Sequence, residues 1–219
     1  MTSFALITEG ITDQVILEHI IEEYYDAFGS VDVYVNHIQP LRDATDASRQ
    51  DKESLGGWEK VLEQCSISKT ITDCFAHNEY IVIQIDTDCG DHPNFGVPLT
   101  LEGADRAVAD IIQDTKNLII NKIGSDLYEQ DQDKFIFAVS VHSLDCWVLS
   151  FHAKTTKEQT KNCAGRLKIH LSKSDERFSK DYNCYKALAK PIHGKELLKI
   201  AETGTSLGIF LSSLPALES

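Results

Sequence analysis

Long apolar runs are missing from this chain of 219 residues. The longest, Tyr80 to Ile85 and Phe135 to Val141, fall far short of the roughly 18 consecutive apolar residues that a membrane-spanning helix needs. The start, Met1-Thr2-Ser3-Phe4, lacks a positively charged segment followed by a secretory apolar stretch, so a cytoplasmic location is expected. No CxxC spacing occurs either. Cys65, Cys74, Cys89, Cys146, Cys163 and Cys184 are dispersed, which argues against a zinc ribbon or a redox dithiol and predicts scattered thiols in a reducing compartment. There is no Walker A motif, so any ATPase control has to come from another protein. Repeats and low-complexity tracts are absent as well.

What remains is the composition of an ordinary folded protein, 42% hydrophobic and 25% charged, long enough for one sizeable core with a small appendage. The net charge of -13 counts against nucleic-acid binding when taken as an average. The average hides a segregation. Residues 151 to 219 hold 12 of the 21 basic and 7 of the 34 acidic side chains, a balance of +5, which leaves -18 on the first 150 residues. An acidic body suits cations and a basic tail suits phosphates, although charge alone fits a solvated basic helix face better.

Periodicity orders the chain. Phe4-Ala5-Leu6-Ile7 reads as a short strand ending at Glu9-Gly10, and Thr12 is expected to cap a helix carrying Val15, Ile16, Ile20, Ile21 and Tyr24 at helical spacing. Val31 to Ile38 alternates as a half-buried strand, and Arg42 to Leu55 reads as a loop. Trp58, Val61, Leu62 and Cys65 predict a helix, with a second helical piece up to Phe75. Tyr80 to Ile85 is the strongest strand, β-branched and short, and it runs into the polar loop Asp86 to Pro93. A long helix is predicted from Leu101 through Ile119, then an acidic connection through Asp126, Glu129, Asp131 and Asp133. Phe135 to Val141 predicts another buried strand, and a helix begins at its end, around His142 to Leu149. In the tail, helices are expected around Lys180 to Leu188 and Lys195 to Glu202. Strands alternating with helices imply a mostly parallel sheet with helices on both faces, whose site lies outside the carboxyl ends of the strands. Glu9, Asp86 and Asp145 all fall there.

The chemistry of those residues is that of a hard cation. Magnesium takes one or two protein carboxylates and keeps its other positions for water and substrate phosphates, which an Asp-x-Asp facing a Glu from another strand end can supply. Two unpaired carboxylates after a buried strand repel each other unless a cation or donor compensates. An isolated DxD is weak evidence in so acidic a chain. Position and order strengthen it: a strand ending in Glu-Gly, a helix, then a strand ending in Asp-x-Asp.

Leu6-Ile7-Thr8-Glu9-Gly10-Ile11-Thr12-Asp13 together with Ile83-Gln84-Ile85-Asp86-Thr87-Asp88 resembles the Toprim fold. The Glu9-Gly10-x-x-Asp13 form looks most like the overcoming-lysogenization-defect (OLD) and RloB-like nucleases associated with bacterial defence against phage. Ser143-Leu144-Asp145-Cys146-Trp147 resembles their third motif, with Asp145 where Glu is more usual. The resemblance covers roughly residues 3 to 152 and leaves the tail without a counterpart.

It implies an α/β, Toprim-like (Rossmann-like) domain over residues 1–152, and a small, mainly helical basic extension over 153–219 packed on or beside it. It implies a nuclease acting on DNA or RNA, tRNA included, with one or two Mg2+ or Mn2+ ions on Glu9, Asp86, Asp88 and Asp13, and with Glu9, Asp86, Asp88 and Asp145 as the catalytic set. A toxic effector of this kind would be held in check by a protein partner, an ATPase among the candidates, and could form a homo-oligomer. Asp13 serves equally as a helix-start residue complementing the dipole. Lys154, Lys157 and Lys161 are candidate contacts to substrate phosphate, with ordinary surface lysines as the alternative. Asp91 and His92 extend the acidic loop and could bind a second ion. His142 and His152 read better as hydrogen-bonding residues. Two rival functions stay open: a silent Toprim scaffold, and another metal-dependent phosphoryl-transfer enzyme.

Overall fold

The computed structural model describes residues 2–29, 32–41, 56–153, 161–172 and 178–216. Its centre is a sheet of four strands in the order β2-β1-β3-β6, every pair parallel. These are β1 (Thr2–Ile7), β2 (Val33–Gln39), β3 (Tyr80–Asp86) and β6 (Phe135–Ser140). A two-residue hairpin, β4 (Thr100–Leu101) with β5 (Ala104–Asp105), stands apart and turns through positive φ at Glu102 and Gly103.

Side chains alternate across a strand, so β1, β3 and β6 each feed two cores. Phe4, Leu6, Val82, Ile136 and Ala138 point to one face. There they meet α1 (Ile11–Gly29), α6 (Leu144–His152), α7 (Cys163–Ser172), α8 (Tyr182–Ala189), α9 (Gly194–Ile200) and α10 (Ser206–Ser212). Ala5, Ile7, Ile81, Ile83, Ile85, Phe135, Phe137 and Val139 point to the other face. They meet α2 (Trp58–Ser66), α3 (Ser68–His77) and α4 (Val108–Ile123). The chain is therefore α/β, with a parallel sheet covered by helices on both faces. Among the described residues no helix is long and apolar enough to cross a membrane.

The tail belongs to the first core. Tyr185, Leu188, Leu197, Phe210 and Leu211 are buried in the same cluster as α1 and β1. Trp147 on α6 stacks on Phe210 of α10 and donates its indole N–H to Ser206 Oγ at 2.8 Å. α9 begins at Gly194, which is pressed against α1.

Several expectations need correction. The helix expected from Leu101 starts at Val108, because Glu102-Gly103 supplies the turn of the hairpin. The acidic connection is mostly helical, α5 (Ser125–Gln130) and a 3-10 turn at Gln132–Lys134. Thr12 lies inside the first turn of α1, which already starts at Ile11. Helices α7 and α10 were not foreseen. Cys146 and Cys163 are joined in a disulfide between α6 and α7, so the six cysteines are not all separate thiols. No CxxC spacing reveals that pair, because its 17-residue separation is closed by helix packing. Val31 and the Arg42-to-Leu55 loop lie outside the described residues.

A Cβ built on Gly194 would stand 2.2 Å from Glu23 O and 2.6 Å from Ala27 Cβ. Gly194→Ala should therefore lift α9 off α1 and cost about 1–3 kcal/mol of stability. A melting temperature equal to the wild type's would refute this seating of the tail.

Candidate functional site

The carboxyl ends of β1 and β3 lie side by side, with Ile7 in register with Ile83. Glu9 and Asp86 thus leave neighbouring strands at the same end of the sheet. A cavity of about 230 Å3 opens there, lined by Glu9, Asp13, Asp86, Asp88 and Asp145 together with Gly10, Thr12, Gly57, Lys180 and Tyr185. Every carboxylate singled out in the sequence for the core site meets in this one place.

A buried glutamine ties the two strand ends together. Gln84, fully buried in β3, accepts the Glu9 backbone N–H at 3.1 Å on Oε1 and donates from Nε2 to Asp86 Oδ1 at 2.8 Å. Glu9 Oε1 in turn accepts the Asp86 backbone N–H at 2.6 Å. The first amide of α6, Leu144 N–H, donates to Asp86 Oδ1 at 3.0 Å, so the carboxylate caps that helix and complements its dipole. The Asp86-Thr87-Asp88 turn is clamped to the exit of β6. Thr87 N–H and Asp88 N–H both donate to His142 O, at 3.0 and 2.8 Å, and His142 N–H donates to Thr87 Oγ1 at 2.8 Å. His142 adopts φ 64 to do so, which makes it a backbone fixture. His152 likewise bonds Leu188 O at 2.9 Å through its ring nitrogen.

Asp145 is 5% exposed and has two partners from the tail. Tyr185 donates its hydroxyl to Asp145 Oδ1, and Lys180 Nζ stands 3.5 Å from Asp145 Oδ2. The sequence reading missed Gln84, Lys180 and Tyr185. Gln84 had a signal, a polar residue inside an otherwise apolar run of β3. The other two had none, since they reach Asp145 across 35 to 40 residues of chain through the docking of α8.

Burial, and after it the crowding of like charges, shapes the titration. Burial first, then Asp13 and Asp88, push Glu9 up to about 8 from the ordinary 4.5, although the Asp86 N–H pulls the other way. Burial and then Asp145 push Asp13 up to about 7. Asp86 is raised well above its ordinary value by burial, Asp13, Glu9 and Asp88. Lys180 would be lowered by burial, but Asp145, Asp86 and Asp13 outweigh that and hold it above 10.5. Cys89 beside the site is pushed up to about 12 by burial, Glu9 and Asp88, so its thiol is no nucleophile near neutrality.

The donors are all oxygen, which suits Mg2+ or Mn2+ better than a thiolate-seeking metal. Among the described residues, however, no group of three or more His, Cys, Asp or Glu side chains is set to hold a metal ion as it stands. The reason is visible in the bonding: Glu9 is turned to the Asp86 amide, Asp86 Oδ1 to Leu144 and Gln84, and Asp145 to Tyr185. Of the other candidates, Lys161 pairs with Asp105 at 2.6 Å and is not on the cavity lining. Lys154 and Lys157 lie outside the described residues. Asp91 and His92 are exposed on the following loop and do not line the cavity.

Two outcomes follow from this crowding. Asp13 has a folded pKa above its unfolded one, so its contribution to stability is complete below about 3.8 and is lost as pH rises to about 7. Asp13→Asn should therefore melt increasingly above the wild type over that window, with the gap level at higher pH and narrowed by magnesium or manganese. A gap that does not depend on pH would show that burial and Asp145 do not penalise the charged form of Asp13. A Cβ on Gly56 would stand 2.1 Å from Glu9 O, so Gly56→Ala should displace the Glu9 turn and lower stability, read by thermal melting. An unaltered melting curve would refute that contact.

No family model, curated protein or solved structure matches the chain.

Proposed function

We propose that the chain is a Toprim-type metal-dependent nuclease, hydrolysing phosphodiester bonds of DNA or RNA. The observation that carries this reading is the convergence of Glu9, Asp13, Asp86, Asp88 and Asp145 on one cavity with a single cationic side chain, Lys180, on its lining. Several like charges, Asp145 buried and Glu9, Asp13 and Asp86 partly so, with so little compensation are what a site for a cation would show.

Glu9, Asp86 and Asp88 would hold the ion, with Asp13 supporting them from the first turn of α1. Magnesium commonly takes only one or two carboxylates from protein, so a ready-made cage of three is not required. When bound, the ion supplies positive charge to a phosphodiester and acidifies water. Glu9 would also serve in proton transfer; its pKa of about 8 belongs to the metal-free site, and a bound cation would lower it and leave the carboxylate free to accept a proton. Gln84 fixes the spacing of Glu9 and Asp86. Asp145 holds Lys180 and Tyr185 on the cavity lining, where the Lys180 ammonium can meet a phosphate.

By the same resemblance the protein would be a toxic effector in bacterial anti-phage defence, acting in the cytoplasm under the control of a partner. The scaffold reading draws on one observation, the absence of a preset metal group among the described residues. Purified protein should cleave one member of a panel of plasmid DNA, single-stranded DNA and total tRNA with magnesium or manganese and not with EDTA. Glu9→Ala and Asp86→Ala should each reduce that cleavage by about a hundredfold or more. Full cleavage in EDTA or in either variant would refute the reading, and folded protein that cleaves nothing would favour the scaffold.

A further inference from the structure

We infer that Trp58 and His92 form a stacking platform for the unpaired base next to the scissile phosphate, which makes single-stranded nucleic acid the preferred substrate. The inference rests on the nuclease reading above and extends it from the phosphate to the base.

The platform is attached to both walls of the acidic cavity. Trp58 is the first residue of α2, directly after Gly57, which lines the cavity and donates its N–H to Glu9 O at 2.7 Å. Gly57 sits at φ 101, so the indole leaves the cavity edge through a bend that other residues rarely adopt. His92 belongs to the loop that starts at Asp88. That loop is folded back on itself by Gly90 N–H on Thr87 O at 2.9 Å and His92 N–H on Cys89 O at 2.8 Å. The two rings meet with centroids 5.2 Å apart at 57°, and Phe95 braces the indole edge-on at 5.5 Å. Phe95 is 3% exposed, Trp58 is only half-buried and His92 is exposed. The other tryptophan, Trp147, is 3% exposed and fully engaged with Ser206 and Phe210.

Charge explains why such a platform is needed. The first 150 residues carry -18, and the cavity lining offers one lysine, so a polyanion gains little from simple attraction. Stacking on an aromatic face is indifferent to that repulsion, works for every base and is available only to a base that is unpaired.

The test reads binding without cleavage. Fluorescein-labelled oligothymidylate, oligouridylate and a duplex of equal length are titrated by anisotropy with calcium in place of magnesium, against wild type, Trp58→Ala, Trp58→Phe and His92→Ala. Single strands should bind more tightly than the duplex and quench the protein's tryptophan fluorescence. Trp58→Ala should weaken single-strand binding about tenfold or more, Trp58→Phe should restore most of it, and His92→Ala, at an exposed position, should weaken it with the melting temperature unchanged. Equal binding by wild type, Trp58→Ala and His92→Ala overturns the platform, as does equal loss in the alanine and phenylalanine variants, preference for the duplex, or no binding by the wild type. A protein that cleaves but shows no dependence on Trp58 loses the platform alone. One that binds single strands through Trp58 but never cleaves loses the nuclease reading alone.

Discussion

The constraint on which this structure turns is the crowding of negative charge at one end of a parallel sheet. Glu9 and Asp86 are placed by neighbouring strands, Asp88 follows by chain continuity, and helices α1 and α6 add Asp13 and Asp145. Burial removes much of the water that would screen Glu9, Asp13 and Asp86, and their acidic neighbours destabilise their charged forms further. The fold answers with directed hydrogen bonds instead of counter-charge. The Asp86 and Leu144 amides and the Gln84 carboxamide are fixed dipoles, and only Lys180 brings a full positive charge to the lining. Dipoles aimed at carboxylates hold geometry without supplying counter-charge.

The remaining architecture serves that arrangement. The Asp-Thr-Asp turn does not float beyond β3, because three backbone amides at its junction with the exit of β6 find partners in Ser140, His142 and Thr87. Two separate cores hold the strands from either side, so the strand ends cannot shift relative to one another without disturbing tightly packed apolar side chains.

Much of this could be read from residue order. The four strands, their parallel arrangement and the placement of Glu9, Asp86 and Asp145 after strands followed from period-two and period-3.6 patterns broken by polar loops. Asp88 joins the same cavity as part of the Asp-x-Asp at a strand end, whereas the residues alone left Asp13 open between supporting the site and starting its helix. What could not be read was long-range. Lys180 and Tyr185 meet Asp145 only because α8 docks in the core with α1 and α6, a fact carried by packing and by no local spacing. The hairpin at Thr100–Asp105 was hidden by Leu101, Ala104 and Ala107, apolar residues that mimic helical periodicity while Leu101 stands 65% exposed. The disulfide escaped for the same reason as Lys180. Basic charge in the tail was legible as a total but not by position: the candidate Lys161 is spent on Asp105, whereas Lys180, which was not a candidate, reaches the acids from just before α8.

The pocket is written at both ends of the chain. Its carboxylates are complete by residue 145, yet the hydroxyl and ammonium that face Asp145 come from residues 180 and 185. During synthesis the acidic half is therefore exposed first and its opposite wall last. A chain cut short before Lys180 would hold every carboxylate and leave Asp145, the most enclosed of the set by its 5% exposure, without either of its two side-chain partners. Completion of the site in this way waits on the synthesis of residues 180 to 185.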